Sequence, residues 1–523
     1  MKKNIGISAV VTALVTGFIY WITLVAINPQ SVGFWFLSIF AIVLFCITHC
    51  FIKDFCSTDT SETNPLVYII PSVAILVFLV LLFFSSVVTR GPAIAGVIDE
   101  KVEEKSIVEY TVPATSVPLL DKESALQLAQ RKMGTLTEYV SQYEIDQINQ
   151  INLNGHPVRV ASLGYASFFK WVNNRHIGIP AYITVDMVTQ ETQFVEMEKG
   201  IKFSPSAAFG HDLKRHIRAE FPFALLGTSC FEIDDNGSPY WLTPVYKNTV
   251  GLFGGKDVIA VIKTDAITGV MEYYTLDNTP QYVDNVYPAD LLIKQYDQHG
   301  TYHSGFLNSI FGQKGVVETT EGYNYIPVND DVYLYTGVTS VVKDESNVGF
   351  IFVNKRTGKF EYYQCPGAEE YSAMSAAEGV VQHLGYTATF PLFVDVQGQP
   401  SYLMTLKDAG GLVKKYAFVN VQQYQTVVVE DTFQKAMSTY TKALGHKGGS
   451  DEVDMSIKGI ITDIRSANID GTTYFYIQLE GQKSYFALSA KDNEEVVLLN
   501  VGDEISVFVF DDEDGKIVTA ALN

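Results

Sequence analysis

The sequence predicts three N-terminal transmembrane helices, then an α+β ectodomain of about four helix-plus-antiparallel-sheet repeats, then a small C-terminal β-barrel. Three observations carry this expectation. Apolar, charge-poor runs of spanning length are confined to the first 89 residues, and one strand–turn–strand signature recurs at long intervals. The chain then closes on short alternating segments in quick succession.

Size and charge narrow the classes. A chain of 523 residues exceeds one ordinary core and corresponds to roughly three or four folding units. With 37 basic against 58 acidic side chains the formal net charge is −21, which argues against a general nucleic-acid binder, because phosphate binding needs concentrated Lys and Arg. Aromatics at 13% argue against disorder, and five Cys are too few for a disulfide-built scaffold.

Residues 1–89 hold the three spans, at 5–27, 32–52 and 66–88. The first carries no charge, the second only the imidazole of His49, and the third is interrupted only by Pro71. Each reaches the ~20 residues that cross a hydrocarbon core of about 30 Å. The first run follows Lys2 and Lys3 but exceeds a signal-peptide core of about 7–15 residues, and no small-x-small site follows Ala26. The 28–31 link (NPQS) makes the first two spans an antiparallel hairpin, with Tyr20, Trp21 and Trp35 as interfacial anchors. Lys2, Lys3 and Lys53 balance Arg90, Lys101 and Lys105 across the membrane. The basic N-terminus breaks the tie, giving a cytoplasmic N-terminus and an extracytoplasmic region after residue 90.

Residues 90–120 read as a linker punctuated by Pro92, Pro113 and Pro118. Four α+β repeats follow, at 121–200, 201–280, 281–367 and 368–430. Their signature is a strand ending in Asp or Asn with a turn residue beyond: 181–186 (AYITVD) with Thr189, 260–265 (AVIKTD) with Thr268-Gly269, 350–354 (FIFVN) with Thr357-Gly358, and more weakly 416–420 (YAFVN). Asx side chains bond the nearby backbone and Gly tolerates positive φ, which suits a tight reversal. An earlier strand precedes each signature, at 158–163, 240–245, 332–338 and 401–406, with loops such as Asn173-Asn174 joining some of them. Each repeat opens on a helix. Asp121 caps one that stops at Gly134, residues 211–221 form a weaker one, Pro288 starts one ending near Gly300, and Ser372 caps one stopped at Gly385.

This order of helix, meander and a strand ending near Asp-x-x-Thr-Gly resembles the PepSY domain, best at 258–274 and well at 124–197. The fourth unit departs from the pattern, because Gln422 to Tyr424 replace Thr-Gly. The resemblance spans roughly 121–430 and implies a small extracytoplasmic module, inhibitory or protein-binding, with no catalytic residue to carry over.

Residues 431–451 read as a helix and hinge, with Asp431 and Gln434 at a capping-box-like start and Gly448-Gly449-Ser450 in the hinge. Residues 452–523 offer five short strands with a Val501-Gly502-Asp503 turn before the fourth, which resembles an OB-fold barrel. OB domains often bind single-stranded nucleic acid, but five basic residues against thirteen acidic ones over 454–523 disfavour a phosphate ligand here. A protein-binding or structural barrel is expected.

Candidate sites are weak. Cys46 and Cys50 share a helix face beside His49, which a soft metal could use, although packing explains them as well. Residues 251–256 (GLFGGK) superficially suggest a phosphate loop but lack its spacing, so a hairpin loop is the expectation. Residues 511–515 (DDEDG) lack the alternation of a calcium loop. His211 and His216 are five apart and point to different helix faces. His299 and His303 straddle Gly300 in a stretch that reads as inserted, where they could form a metal or proton-handling pair, although a polar loop is the expectation. Cys230 and Cys365 pair only if their region is oxidising, and a buried free thiol suits both strands. No catalytic, cofactor or metal residue is assigned.

The expected function is therefore a non-catalytic, membrane-anchored binding or scaffold protein of the cell envelope, with protein partners and no nucleic acid. The alternatives are a PepSY-type regulator of an envelope protease and, disfavoured by charge, a cytoplasmic-facing nucleic-acid binder. Residues 1–89 are charge-balanced, so the net −21 belongs to the rest of the chain. An anionic bilayer is expected to repel so acidic a domain and leave it projecting.

Overall fold

A computed structural model describes residues 2–56, 65–112, 117–328, 331–341, 346–445, 456–469, 472–482, 484–490, 494–509 and 517–522. The hinge residues 446–451, the acidic run 511–515 and Pro113 lie outside them.

Three apolar helices, Lys2–Thr23, Val32–Cys56 and Leu66–Phe84, are long and apolar enough to cross a membrane. The second packs against both others. The first stops where Leu24 takes a φ of +52°, and the 28–31 link turns the chain back. The third stops at Phe84, short of the expected 88. The Ser86 and Thr89 hydroxyls each bond the Phe83 carbonyl at 2.7 Å, ending one helix and starting a second at Val87–Ala95.

Residues 90–110 of the stretch read as a linker pack against the sheets. Beyond Val87–Ala95, the strand Val102–Lys105 pairs in parallel with residues 360–363, and Tyr110 is buried with its hydroxyl 2.6 Å from the Phe393 carbonyl. A four-residue strand with two exposed glutamates carries almost no hydrophobic pattern, which hides it from periodicity.

Four sheets follow. The first runs Tyr143–Leu153, His156–Tyr165, Ile179–Asp186, Thr192–Ile201, in that order. In the second, Met271–Thr275, Gly254–Asp265, Pro239–Val250 and Leu225–Leu226 are neighbours, and Cys230–Ile233 also pairs with Pro239–Val250. The third and fourth repeat that order around Asp331–Ser340 and Gln399–Lys407. Helices Lys122–Gly134, Leu213–Glu220, Ala289–Tyr302 and Glu370–Val380 precede the four sheets in turn. Asp121 and Asp212 cap the first two, accepting from the Glu123 and Arg215 amides. Two expectations shift: Ser372 lies inside its helix, which begins after Glu369, and Asn173-Asn174 end a short helix, Phe168–Asn174.

The turn signature has one geometry in all four sheets. Asp186, Asp265, Asn354 and Asn420 each accept two backbone N–H bonds on Oδ1, from residues two and three further on. Gly269 and Gly358 follow at φ +77° and +70°, and Gln190 takes φ +63° in the first sheet. Apolar cores bridge consecutive sheets: Trp171 packs into one with Phe231 and Trp241, Tyr240 into one with Phe360, and Tyr335 into one with Phe393 and Tyr402.

After the fourth sheet, helix Phe433–Gly445 begins at Thr432, whose hydroxyl accepts the Lys435 amide, rather than at Asp431. Five strands, Ser456–Ile469, Thr472–Leu479, Tyr485–Ser489, Glu504–Val509 and Ile517–Leu522, close into a barrel around Ile477, Leu488 and Val507.

The sheet domain is joined to the ends of the spans by direct contacts. Asn248 and Gln30 exchange hydrogen bonds, the Asn28 amide bonds the Phe223 carbonyl at 2.9 Å, and the Leu252 amide bonds Ser85 Oγ at 2.9 Å. Phe253 packs edge-on against Phe78 of the third helix. Short-range hydrogen bonds, from neutral amides and from the Arg215 and Arg218 guanidiniums, set this arrangement together with apolar contact, whereas repulsion between dispersed charges is screened over about 10 Å.

Candidate functional site

The site grows out of two exceptions to the repeated pattern. In each sheet the Asx residue pairs with a residue on the preceding strand: Asp186 with Val158, Asp265 with Tyr240, Asn354 with Tyr333, Asn420 with Ser401. The position one beyond that partner is buried in every sheet and holds Trp241, Leu334 and Tyr402 in the last three. The first sheet has Arg159 there. The residue after the Asx is Met187, Ala266 and Val421 in three sheets, all buried, and Lys355 in the third. Two cations thus occupy positions that are otherwise apolar or aromatic.

Both line one cavity of about 750 Å³, where the first, third and fourth sheets approach one another. Arg159 is only 1% exposed, and its Nε has no hydrogen-bond partner among the described residues. Burial pulls its guanidinium down to about 10. Gln150 stands directly opposite it across the strand pair, 2% exposed, with both amide atoms unpartnered among the described residues. Cross-strand partners share a face, so the two side chains belong to one surface.

Lys355 is tethered where Arg159 is not. Its ammonium donates to Asn285 Oδ1 and lies 4.4 Å from the centre of the Tyr325 ring. Asn285 in turn donates through Nδ2 to Glu232 Oε1 at 2.7 Å and to the Gln150 carbonyl at 3.1 Å. Glu232, fully buried, also accepts from the Tyr240 hydroxyl at 2.7 Å and the Asn285 amide at 2.9 Å. Burial pulls the Lys355 ammonium below its ordinary value, against the opposing pull of Cys230, Glu232 and Asp284. Burial and the nearby Glu232 charge push Asp284 well above the usual carboxylate range, and its Oδ2 accepts the Asn152 amide at 2.7 Å. At the rim Lys407 meets Asp121 at 2.7 Å. Burial alone would raise Asp121, but the Lys407 bond overrides it and holds the carboxyl below its ordinary value.

The arrangement leaves one buried cation with no hydrogen-bond partner at Nε among the described residues, its charge offset only in part by Asp121. Stranding polar groups away from water costs several kcal/mol in real proteins, so Arg159 Nε and the Gln150 amide are costly groups to keep without hydrogen-bond partners in a cavity wall.

The residues singled out by sequence lie elsewhere. Cys46 and His49 line an apolar groove of about 620 Å³ among the spans, with Thr12 and Thr16. Residues 251–253 form the turn of the Pro239–Val250 and Gly254–Asp265 hairpin. His211 and His216 flank the Phe203 ring, and His216 Nε2 is 2.8 Å from the Gly269 carbonyl. His299 is on the last turn of Ala289–Tyr302, 3.1 Å from Asp99 Oδ1, and His303 follows the helix, its ring centre 5.9 Å from that of His299. Cys230 and Cys365 are free. Sequence reasoning missed Arg159, Gln150 and Lys355; aligning the four turn signatures would have exposed both cations.

No protein-family model matches the chain, and comparison with curated proteins gives no match.

Proposed function

We propose that the chain is a membrane-anchored binding protein of the cell envelope, with residues after 90 on the extracytoplasmic side and no catalysis of its own. In this reading the four sheets with their helices are PepSY-like units, and the terminal barrel is OB-like. The shared strand order and turn geometry of the sheets support the first assignment. Barrel order 1-2-3-5-4 closing on strand 1, with the helical turn Glu494–Leu498 between strands 3 and 4, supports the second. The observation that carries the binding role is the cavity holding Arg159 and Gln150, whose polar atoms await a partner. A guest held there sits beside elements of three sheets, so its occupancy can alter how the units present themselves to protein partners.

Location is tested by adding protease to intact cells. Cleavage after residue 90 from outside is expected, and full protection overturns the extracytoplasmic assignment. Binding is tested by differential scanning of the full chain in nanodiscs against extracts of native envelope fractionated by size. A saturable rise in melting temperature from a small-molecule fraction, absent in Arg159→Met, is expected. No response from any fraction overturns the cavity as a binding site.

A further inference from the structure

Resting on that reading of the cavity, we propose that its ligand is a small organic acid with an apolar or aromatic body, whose carboxylate is held by Arg159 and Gln150. The charges in the cavity select the monoanion. Lys407 is taken by Asp121, at 2.7 Å, with Glu123 3.8 Å away. Lys355 is committed to Asn285 and the buried Glu232 behind it. Lys122 also lines the cavity but is exposed to solvent, and Asp121 attracts Arg159 without hydrogen-bonding it. That leaves Arg159 as the buried cation whose Nε has no hydrogen-bond partner among the described residues, a group that one carboxylate matches better than a doubly charged phosphate. A planar guanidinium also presents paired N–H donors with the spacing of a carboxylate's two oxygens, and the Gln150 amide opposite can add a third donor.

The rest of the lining mixes polar groups, such as Asn149, Asn324 and Thr389, with an apolar and aromatic part that accommodates a body. Ile148, Tyr323, Tyr325 and Phe390 line it, and the Tyr323 and Tyr325 rings lie 5.5 Å apart. A volume of about 750 Å³ falls within the ordinary range of small-molecule sites.

Departure from the repeat argues that Arg159 serves a ligand rather than the fold. Sister positions are filled by Trp241, Leu334 and Tyr402, all buried, so packing there asks for an apolar side chain. A residue kept for binding at the expense of stability responds oppositely to truncation from a residue kept for structure.

The test uses the full chain in nanodiscs with benzoate, propionate, their primary amides and inorganic phosphate, read by calorimetry and thermal unfolding. Benzoate is expected to bind saturably and tighter than propionate, and the amides not to bind. Arg159→Met is expected to melt at or above the wild-type temperature and to weaken benzoate at least about tenfold, the loss of one charge-assisted hydrogen bond. Gln150→Leu, which strands no partner, is expected to keep the fold and weaken benzoate several-fold. Equal binding of amides and acids, or binding unaffected by either substitution, overturns the carboxylate assignment. Arg159-dependent binding of phosphate without benzoate overturns it too, while leaving the cavity a binding site. Destabilised Arg159→Met with no ligand response in the wild type or Gln150→Leu overturns both.

Discussion

Arg218 Nε donates to the Leu24 carbonyl at 3.0 Å, joining the end of the first span to a residue 194 positions away. The same guanidinium bonds the carbonyls of Phe221, Pro222 and Ala224 through Nη1. Leu24 leaves the helix at φ +52°, so its carbonyl needs a partner from outside the helix, and the second sheet's helix supplies it. Arg215 repeats the move, donating to the Trp21 carbonyl at 2.7 Å with its guanidinium over the Trp21 ring. Helix Leu213–Glu220 therefore works as a clasp on the first span.

Arg218→Gln is expected to cost on the order of 3 kcal/mol, because several carbonyls lose a charged donor at once. Thermal unfolding in nanodiscs reads the loss, and limited proteolysis reads faster cutting at residues 221–224. Arg218→Lys recovers little, since a compact ammonium cannot span acceptors on both sides of the clasp.

Gly300→Ala is expected to destabilise the third unit by about 1–3 kcal/mol through overpacking. A Cβ there would clash with the Val317 carbonyl oxygen, so helix Ala289–Tyr302 would have to move off the strand Val317–Thr319. Gly134→Ala is the control, with nothing within 4 Å of the new methyl, and is expected to be neutral or stabilising by up to ~1 kcal/mol. Chemical denaturation of both variants separates close approach from helix propensity.

Gly300 also marks a limit of sequence reasoning. Read along the chain it resembles a helix stop, yet it lies inside the helix because a strand backbone passes over it. Local signals were reliable where the cause is local: the spans follow from hydropathy, and the Asx turns from side chains bonding their own backbone. Contacts across long separations left no such trace. Strand Val102–Lys105 depends on residues 360–363, and the seating of the domain depends on Asn248 meeting Gln30. The cavity is an intermediate case. Arg159 reads as an ordinary exposed strand arginine until the turn of the same sheet fixes its register and places it opposite Val185.

Asp284 should make stability fall as pH rises above the unfolded carboxylate value. Burial and Glu232 raise its folded-state value above the unfolded ~3.9, so the native state holds a proton that the unfolded chain has released. With more protons bound in the native state, stability drops with increasing pH, from about 3.9 up to the folded value, and this contribution is flat beyond. Asp284→Asn imitates the protonated acid and keeps an acceptor for the Asn152 amide. It is expected to match the wild type near pH 4 and to melt higher at pH 8, a gap measured by scanning calorimetry at both values.

Cys230 and Cys365 are expected to stay reduced thiols even in an oxidising compartment. Cys230 lies on Cys230–Ile233 in the second sheet and Cys365 on Phe360–Ala368 in the third, and both are free. Burial pushes the Cys365 thiol up to about 11, and burial with the Glu232 charge raises Cys230 as well. A thiol with so small a thiolate fraction attacks disulfides slowly, so oxidation is disfavoured in rate as well as by separation into different sheets. Maleimide should label neither residue in the native protein at pH 7 and both after denaturation without reductant, as read by peptide mapping. Failure of this pair to label after denaturation, reversed by reductant, would show that the two strands come together in a way the fold described above does not permit.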